Sequence, residues 1–132
     1  MRKPEGSEPA RGPRAAAGRA AEDQALRLLS KAGLKLVERN YRVARGPSRR
    51  GGEIDLIVAA PDGTLVFVEV RSRTGATAGG AAASVSAAKR SRLVHAATCY
   101  LAALPRVPPC RFDVVAIDGG RLEWIPGAFE AA

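Results

Sequence analysis

Histidine is almost missing from this chain: His95 is the only one in 132 residues. With no second imidazole to join it, a histidine metal centre is excluded, and His95 reads as structural. Cysteine occurs twice, as Cys99 and Cys110, without the close paired spacing of a zinc site. Thiols used so sparingly fit a reducing compartment. No stretch approaches the ~18 consecutive apolar residues that a membrane-crossing helix needs. The N-terminus also lacks the apolar run of a secretory signal, so the expectation is a cytoplasmic protein with no membrane partner. Aromatic residues make up 5% of the chain. Phe67, Tyr100, Phe112 and Trp124 are set in apolar runs, which assigns them to the core rather than to base-stacking platforms. Lysine is scarce too, supplying only four of the 21 basic residues.

What the chain does have is arginine, unevenly placed. Net charge is +8, and residues 1–50 carry all of it, with thirteen Lys/Arg against five Asp/Glu. Residues 51–132 hold eight of each and sum to zero. A basic half is the electrostatic footprint of a polyanion binder. The length suits one domain with a real core.

Residues 1–14 combine Pro4, Pro9 and Pro13 with Arg and Lys and read as a disordered basic tail, leaving 15–132 as a single domain. Ala21, Ala25, Leu28, Leu29 and Ala32 form a helical stripe from about Ala15, ended by Gly33. Leu34 to about Val43 reads as a strand, Arg45 to Gly52 as a basic loop, and 53–72 as a β-hairpin. Thr74 to Ala83 reads as a loop. A second helix, capped by Ser84 or Ser86, runs to about Leu104 with Leu93, Ala97, Tyr100 and Leu101 on one stripe. Short strands follow at Phe112–Ile117 and Leu122–Ile125. The order predicts an α/β domain: a mixed β-sheet flanked by helices.

The hairpin is the most informative segment. Two apolar, β-branched runs, Gly52–Ala60 and Thr64–Arg71, flank Pro61-Asp62-Gly63. Pro61 suits the first central position of a type I turn, and Gly63 the left-handed residue that closes a three-residue loop. That register sets Ala60 opposite Thr64, Asp55 opposite Glu69 and Glu53 opposite Arg71. It also predicts that Ile54, Leu56, Val58, Val66, Val68 and Val70 share one apolar face. Facing side chains lie about 5 Å apart, where like charges repel. Two carboxylates placed together among apolar residues point to a cation, Mg²⁺ or Mn²⁺, between Asp55 and Glu69. A solvated charge ladder neutralised by Arg71 is the alternative.

Gly18-x-x-x-Glu22, Asn40, Gly52-Glu53-Ile54-Asp55-Leu56-Ile57, Val66-Phe67-Val68-Glu69-Val70-Arg71-x-Arg73, Lys89 and Arg111-Phe112-Asp113-Val114-Val115 resemble the YraN family. Those are small, largely uncharacterised bacterial proteins similar to Holliday-junction resolvases and the wider PD-(D/E)xK nucleases. The resemblance runs from about Ala15 to Phe129. It implies a restriction-endonuclease-like fold, with Asp55 and Glu69 as metal ligands and the backbone carbonyl of Val70 as a further one. It also implies a glutamate from the first helix, where Glu22 is the candidate third acid and a surface glutamate on a basic helix the alternative; Glu53 shares the face of Asp55 and takes a supporting place at best. Its related resolvases work as dimers, so a homodimer is among the expectations.

At position 71 the family pattern usually has lysine, and this chain has arginine. Arginine cannot act as a base, though it can stabilise phosphate charge. Lys89, one turn before Leu93, is a candidate to take over the lysine's role; an ordinary helix-start lysine is the alternative. Arg45, Arg49, Arg50, Arg73 and Arg92 are candidates for phosphate contacts. Asp113 reads as a brace for a neighbouring strand. The sequence thus predicts a metal-dependent endonuclease acting on DNA, with branched or structured DNA among its substrates. A catalytically silent nucleic-acid-binding or adaptor module is the second reading, and a basic partner of another protein or the ribosome the third.

Overall fold

Alanine and leucine at helical spacing build the first helix, α1, over Pro13–Lys31. The computed structural model describes residues 13–44, 51–73 and 85–130, so most of the expected basic tail and both expected loops lie outside the described residues. Proline is at home in the first helical turn, where its missing N–H would have had no partner. The helix accordingly starts ahead of the expected Ala15. Ala21, Ala25 and Leu29 are its buried positions, while Ala32 lies exposed beyond its end. Gly33 at φ +97° turns the chain. The Leu34 N–H then bonds the Leu29 carbonyl at 3.0 Å, and the Gly33 N–H that of Ser30 at 3.0 Å, a Schellman ending.

Five strands form one sheet in sequential order. They are β1 (Lys35–Val43), β2 (Gly52–Ala59), β3 (Leu65–Arg73), β4 (Cys110–Asp118) and β5 (Arg121–Phe129). Between β3 and β4 lies the second helix, α2 (Ala87–Ala102), capped by Ser86, whose side chain accepts from the Lys89 N–H. That crossover makes β3 and β4 parallel, whereas the other three pairings are antiparallel. Leu56, Val58, Val66, Val68 and Val115 pack beneath Ala25 and Leu29 of α1. Ile57, Leu65, Phe67, Phe112, Val114 and Ala116 pack beneath Leu93, Ala96 and Ala97 of α2. The result is the expected mixed sheet with helices against it. β4 and β5 run longer than expected, because ladder pairing extends through Cys110, Asp118 and Arg121, which carry no apolar signal.

The hairpin turn matches its prediction. Gly63 sits at φ +94°, its N–H bonds the Ala60 carbonyl at 2.9 Å, and the Ala60 N–H bonds that of Thr64 at 2.8 Å. Pairing follows the predicted register from Ala59↔Leu65 to Leu56↔Val68, and there it stops. Beyond that point β2 stays with β1 as far as Gly52↔Val43, and β3 stays with β4 as far as Arg73↔Asp118. The sheet therefore forks. Glu53 does not face Arg71 as expected; it pairs instead with Arg42 of β1, at 3.6 Å.

The single apolar face also breaks at this point. Ile54 packs with the α2 cluster, whereas Leu56, two residues on, packs with the α1 cluster. The same reversal occurs on β1. Arg39 reaches Glu22 and Asp23 of α1, whereas Tyr41 packs edge-on against Tyr100 of α2. Between them, Asn40 adopts φ +52°, a left-handed conformation that asparagine tolerates better than most residues. By the register it lies opposite Asp55. The period-2 alternation fails where this twist is inserted.

Two local devices hold the frame. A Cβ on Gly52 would lie 2.6 Å from the Arg92 carbonyl oxygen and 3.0 Å from Ala96 Cβ, so glycine lets β2 press against α2. On the far side, Asp113 is fully buried. It accepts from Arg111 Nε at 3.0 Å, Arg111 Nη2 at 3.2 Å, Trp124 Nε1 at 2.9 Å and the Gly127 N–H at 2.9 Å. Those contacts tie β5 where its register shifts between Phe112 and Val114. Gly52→Ala is expected to destabilise the fold by about 1–3 kcal/mol, read as a lower urea midpoint. Asp113→Ala is expected to cost about 3 kcal/mol, likewise read as a lower urea midpoint.

Candidate active site

At the fork the two acids meet different surroundings. Glu69, on β3 under α2, is 3% exposed. A buried carboxylate needs partners, and Glu69 Oε2 has Lys89 Nζ at 3.3 Å and Arg71 Nη1 at 3.7 Å. Asp55, on β2, reaches across the gap, and its Oδ2 accepts the Val70 N–H at 2.8 Å. That bond stands where a ladder bond between β2 and β3 would otherwise lie.

Burial, and then the charge of Glu69, push the Asp55 carboxyl up to about 8; Glu22 and Glu53 add to the effect, and the Val70 N–H opposes it. Among the described residues no Lys or Arg forms an ion pair with Asp55. Among the described residues, Glu69 thus has cationic partners and Asp55 has none.

Glu22, the acid expected from the first helix, is tied to β1. Its Oε1 accepts from Asn40 Nδ2 at 3.1 Å and is 3.5 Å from Arg39 Nη2; Arg39 also bonds Asp23 at 2.8 Å. Burial raises the Glu22 carboxyl above its ordinary range, with Arg39 working against it. Among the described residues no cluster of three or more His, Cys, Asp or Glu is placed to hold a metal. The carboxylates at the fork are Asp55 and Glu69, and the Val70 carbonyl is the further donor that the resemblance implies. These are hard oxygens, and the two carboxylates raise each other's need for positive charge. Such a set fits a divalent cation that keeps several waters in its shell.

Of the other predicted residues, Arg71 and Lys89 converge on Glu69. Arg92 is half-buried on α2, with its carbonyl against Gly52. Arg45, Arg49, Arg50 and the side chain of Arg73 lie outside the described residues. Sequence reasoning missed two contributors, Asn40 and Gly52. Both stand in the quoted motifs, and their residue types, an asparagine in a strand and a glycine opening one, were the available signal.

A five-stranded mixed sheet carrying a helix cluster on either face, with paired acids at a strand fork, has the architecture of a restriction-endonuclease-like α/β protein. The chain belongs to the uncharacterised protein family UPF0102, the YraN family, whose model matches residues 21–117. A UPF0102 protein of Acidovorax sp. (strain JS42) is 59% identical over 131 residues, covering 99% of this chain and 96% of the relative. One of Methylibium petroleiphilum is 59% identical over 117 residues, covering 89% and 96%. One of Cupriavidus necator is 58% identical over 113 residues, covering 86% and 82%. Among the described residues no helix is long and apolar enough to cross a membrane.

The raised Asp55 carboxyl has a consequence for stability. Near pH 3 and below, folded and unfolded chains both hold the Asp55 proton, and the residue imposes no penalty. As pH rises towards 8 the unfolded chain ionises first, so stability from this group is lost across that window and levels off above it. Asp55→Asn keeps an acceptor for the Val70 N–H and removes the titration. In metal-free buffer the variant should match wild type near pH 3 and exceed it by about 2–4 kcal/mol near pH 8. Chemical denaturation at the two pH values measures the difference, and a constant gap would contradict it.

Proposed function

We propose that this protein is a divalent-cation-dependent phosphodiester hydrolase acting on DNA, with branched or structured DNA as the substrate class its resemblance favours. The observation that carries the reading is the fork: two carboxylates stand where β2 and β3 part, and among the described residues one of them has no cationic partner. Asp55, Glu69 and the Val70 carbonyl would hold Mg²⁺ or Mn²⁺. When bound, such an ion neutralises charge on the scissile phosphate and acidifies an attacking water.

The chain's own residues supply the rest. Val70 N–H fixes the Asp55 carboxylate, so the acid is aimed before any ligand arrives. Arg71 keeps its proton throughout the accessible pH range, so its part is to hold a phosphate oxygen and not to act as a base. The arginine-rich first 50 residues attract the DNA backbone without reading its sequence. One observation favours a silent DNA-binding module instead: arginine stands where the motif usually has lysine, and Glu69 already has two cationic neighbours.

Cleavage of labelled branched and flapped DNA, titrated with Mg²⁺ and Mn²⁺, tests the proposal. Wild type is expected to cut, and Asp55→Ala or Glu69→Ala to lose at least about 100-fold of the rate. Salt-dependent binding without turnover, unchanged by those substitutions, would establish the silent module. Absence of DNA affinity at any salt would overturn both.

A further inference from the structure

The first turn of α2 is mounted rigidly. Val85 just before it is 2% exposed in the core. Ser86 Oγ accepts the Lys89 N–H at 3.1 Å, and the Arg90 guanidinium lies 5.9 Å from the centre of the Phe129 ring. From that mount Lys89 extends to the fork, and its Nζ comes within 3.3 Å of Glu69 Oε2 with 36% of the side chain exposed. Arg71 reaches the same oxygen from β3 but stops at 3.7 Å.

Resting on the reading of the fork as a cation site, we infer that Lys89 is this site's working lysine, delivered by α2. It neutralises Glu69 while no divalent ion is present and turns to a phosphate oxygen once the ion has taken the carboxylate. The side chains suit the division of labour. An ammonium on a four-carbon stem is compact and flexible, so it can leave Glu69 and re-aim, whereas a guanidinium presents a fixed planar fork. Lys89 is also half exposed, so turning outward uncovers no apolar surface. A divalent cation cancels Asp55 and Glu69 together, leaving Lys89 and Arg71 as surplus positive charge facing the phosphodiester.

The consequence is competition. In the resting protein the ammonium and the divalent ion contend for one carboxylate, so removing the ammonium should tighten metal binding while slowing cleavage. A lysine that serves only to start the helix would do neither.

Mn²⁺ binding to the full chain without DNA, measured by electron paramagnetic resonance of the free ion, separates these cases. Lys89→Gln is expected to bind Mn²⁺ roughly tenfold more tightly than wild type, yet to cut DNA at least tenfold more slowly. Lys89→Arg, which keeps the charge, is expected to restore wild-type Mn²⁺ affinity, showing that charge and not lost packing sets the effect. Unchanged or weaker Mn²⁺ binding by Lys89→Gln, against measurable binding by wild type, would overturn the role of Lys89 and leave the cation site standing. Absence of Mn²⁺ binding by wild type and both variants would overturn the cation site and the role of Lys89 together.

Discussion

The separation of β2 from β3 governs what the rest of this molecule can do. A buried backbone N–H left without an acceptor costs about 1–3 kcal/mol, and pulling two strands apart strands several of them. Here the outer strands absorb most of that cost. β3 keeps its full ladder with β4, and β2 keeps its ladder with β1. The remaining demand, the Val70 N–H, falls to Asp55. One carboxylate thereby closes the hydrogen-bond account of the fork and becomes fixed at its mouth. The placement of the acid and the opening of the sheet are one event.

Asn40 extends the same constraint to the opposite side of the sheet. A left-handed non-glycine residue stores roughly 1–3 kcal/mol of strain. It persists because the twist sends Arg39 to the acids of α1 and Tyr41 to Tyr100 of α2, and because Asn40 itself bonds Glu22. α1 is thus linked to the fork by a side chain as well as by its apolar stripe. From this position the charge of Glu22 raises the carboxyl of Asp55, which gives an acid on the first helix an electrostatic role at the fork.

The turn was legible in the sequence because Pro61, Asp62 and Gly63 each have a steric reason to occupy their places, and that turn propagates register as far as Leu56 and Val68. The α/β order was legible for the same kind of reason: alternating apolar runs and helical stripes have distinct periods. Legibility ended at Asn40 and Asp55. Period-2 reasoning assumes that a strand keeps its faces, and a single left-handed residue breaks that assumption without altering the apolar pattern. Gly52 was visible only as a motif letter, since its meaning depends on how closely α2 approaches. Lys89 stood out by its rarity and its place one turn before Leu93. Its distance to Glu69 depends on a crossover spanning 74–86, which no local pattern encodes.

The two buried acids of this sheet show what distinguishes a carboxylate that braces from one that is available. Asp113 takes four N–H contacts between 2.9 and 3.2 Å, spread over both oxygens and including backbone and indole donors. Such a shell leaves no lone pair for a newcomer and fixes β5 in place. Glu69 is buried almost as completely, yet its ion-pair contacts converge on one oxygen at 3.3 and 3.7 Å, both from long side chains that also meet solvent. Two loose cations lower the penalty of burying the charge. A carboxylate held purely for structure would gain by exchanging them for close, rigid donors like those of Asp113, which stands on β4 one position from the partner of Glu69. The looser shell on Glu69, beside an Asp55 that has no ion pair among the described residues, is the arrangement that leaves room for an incoming divalent ion.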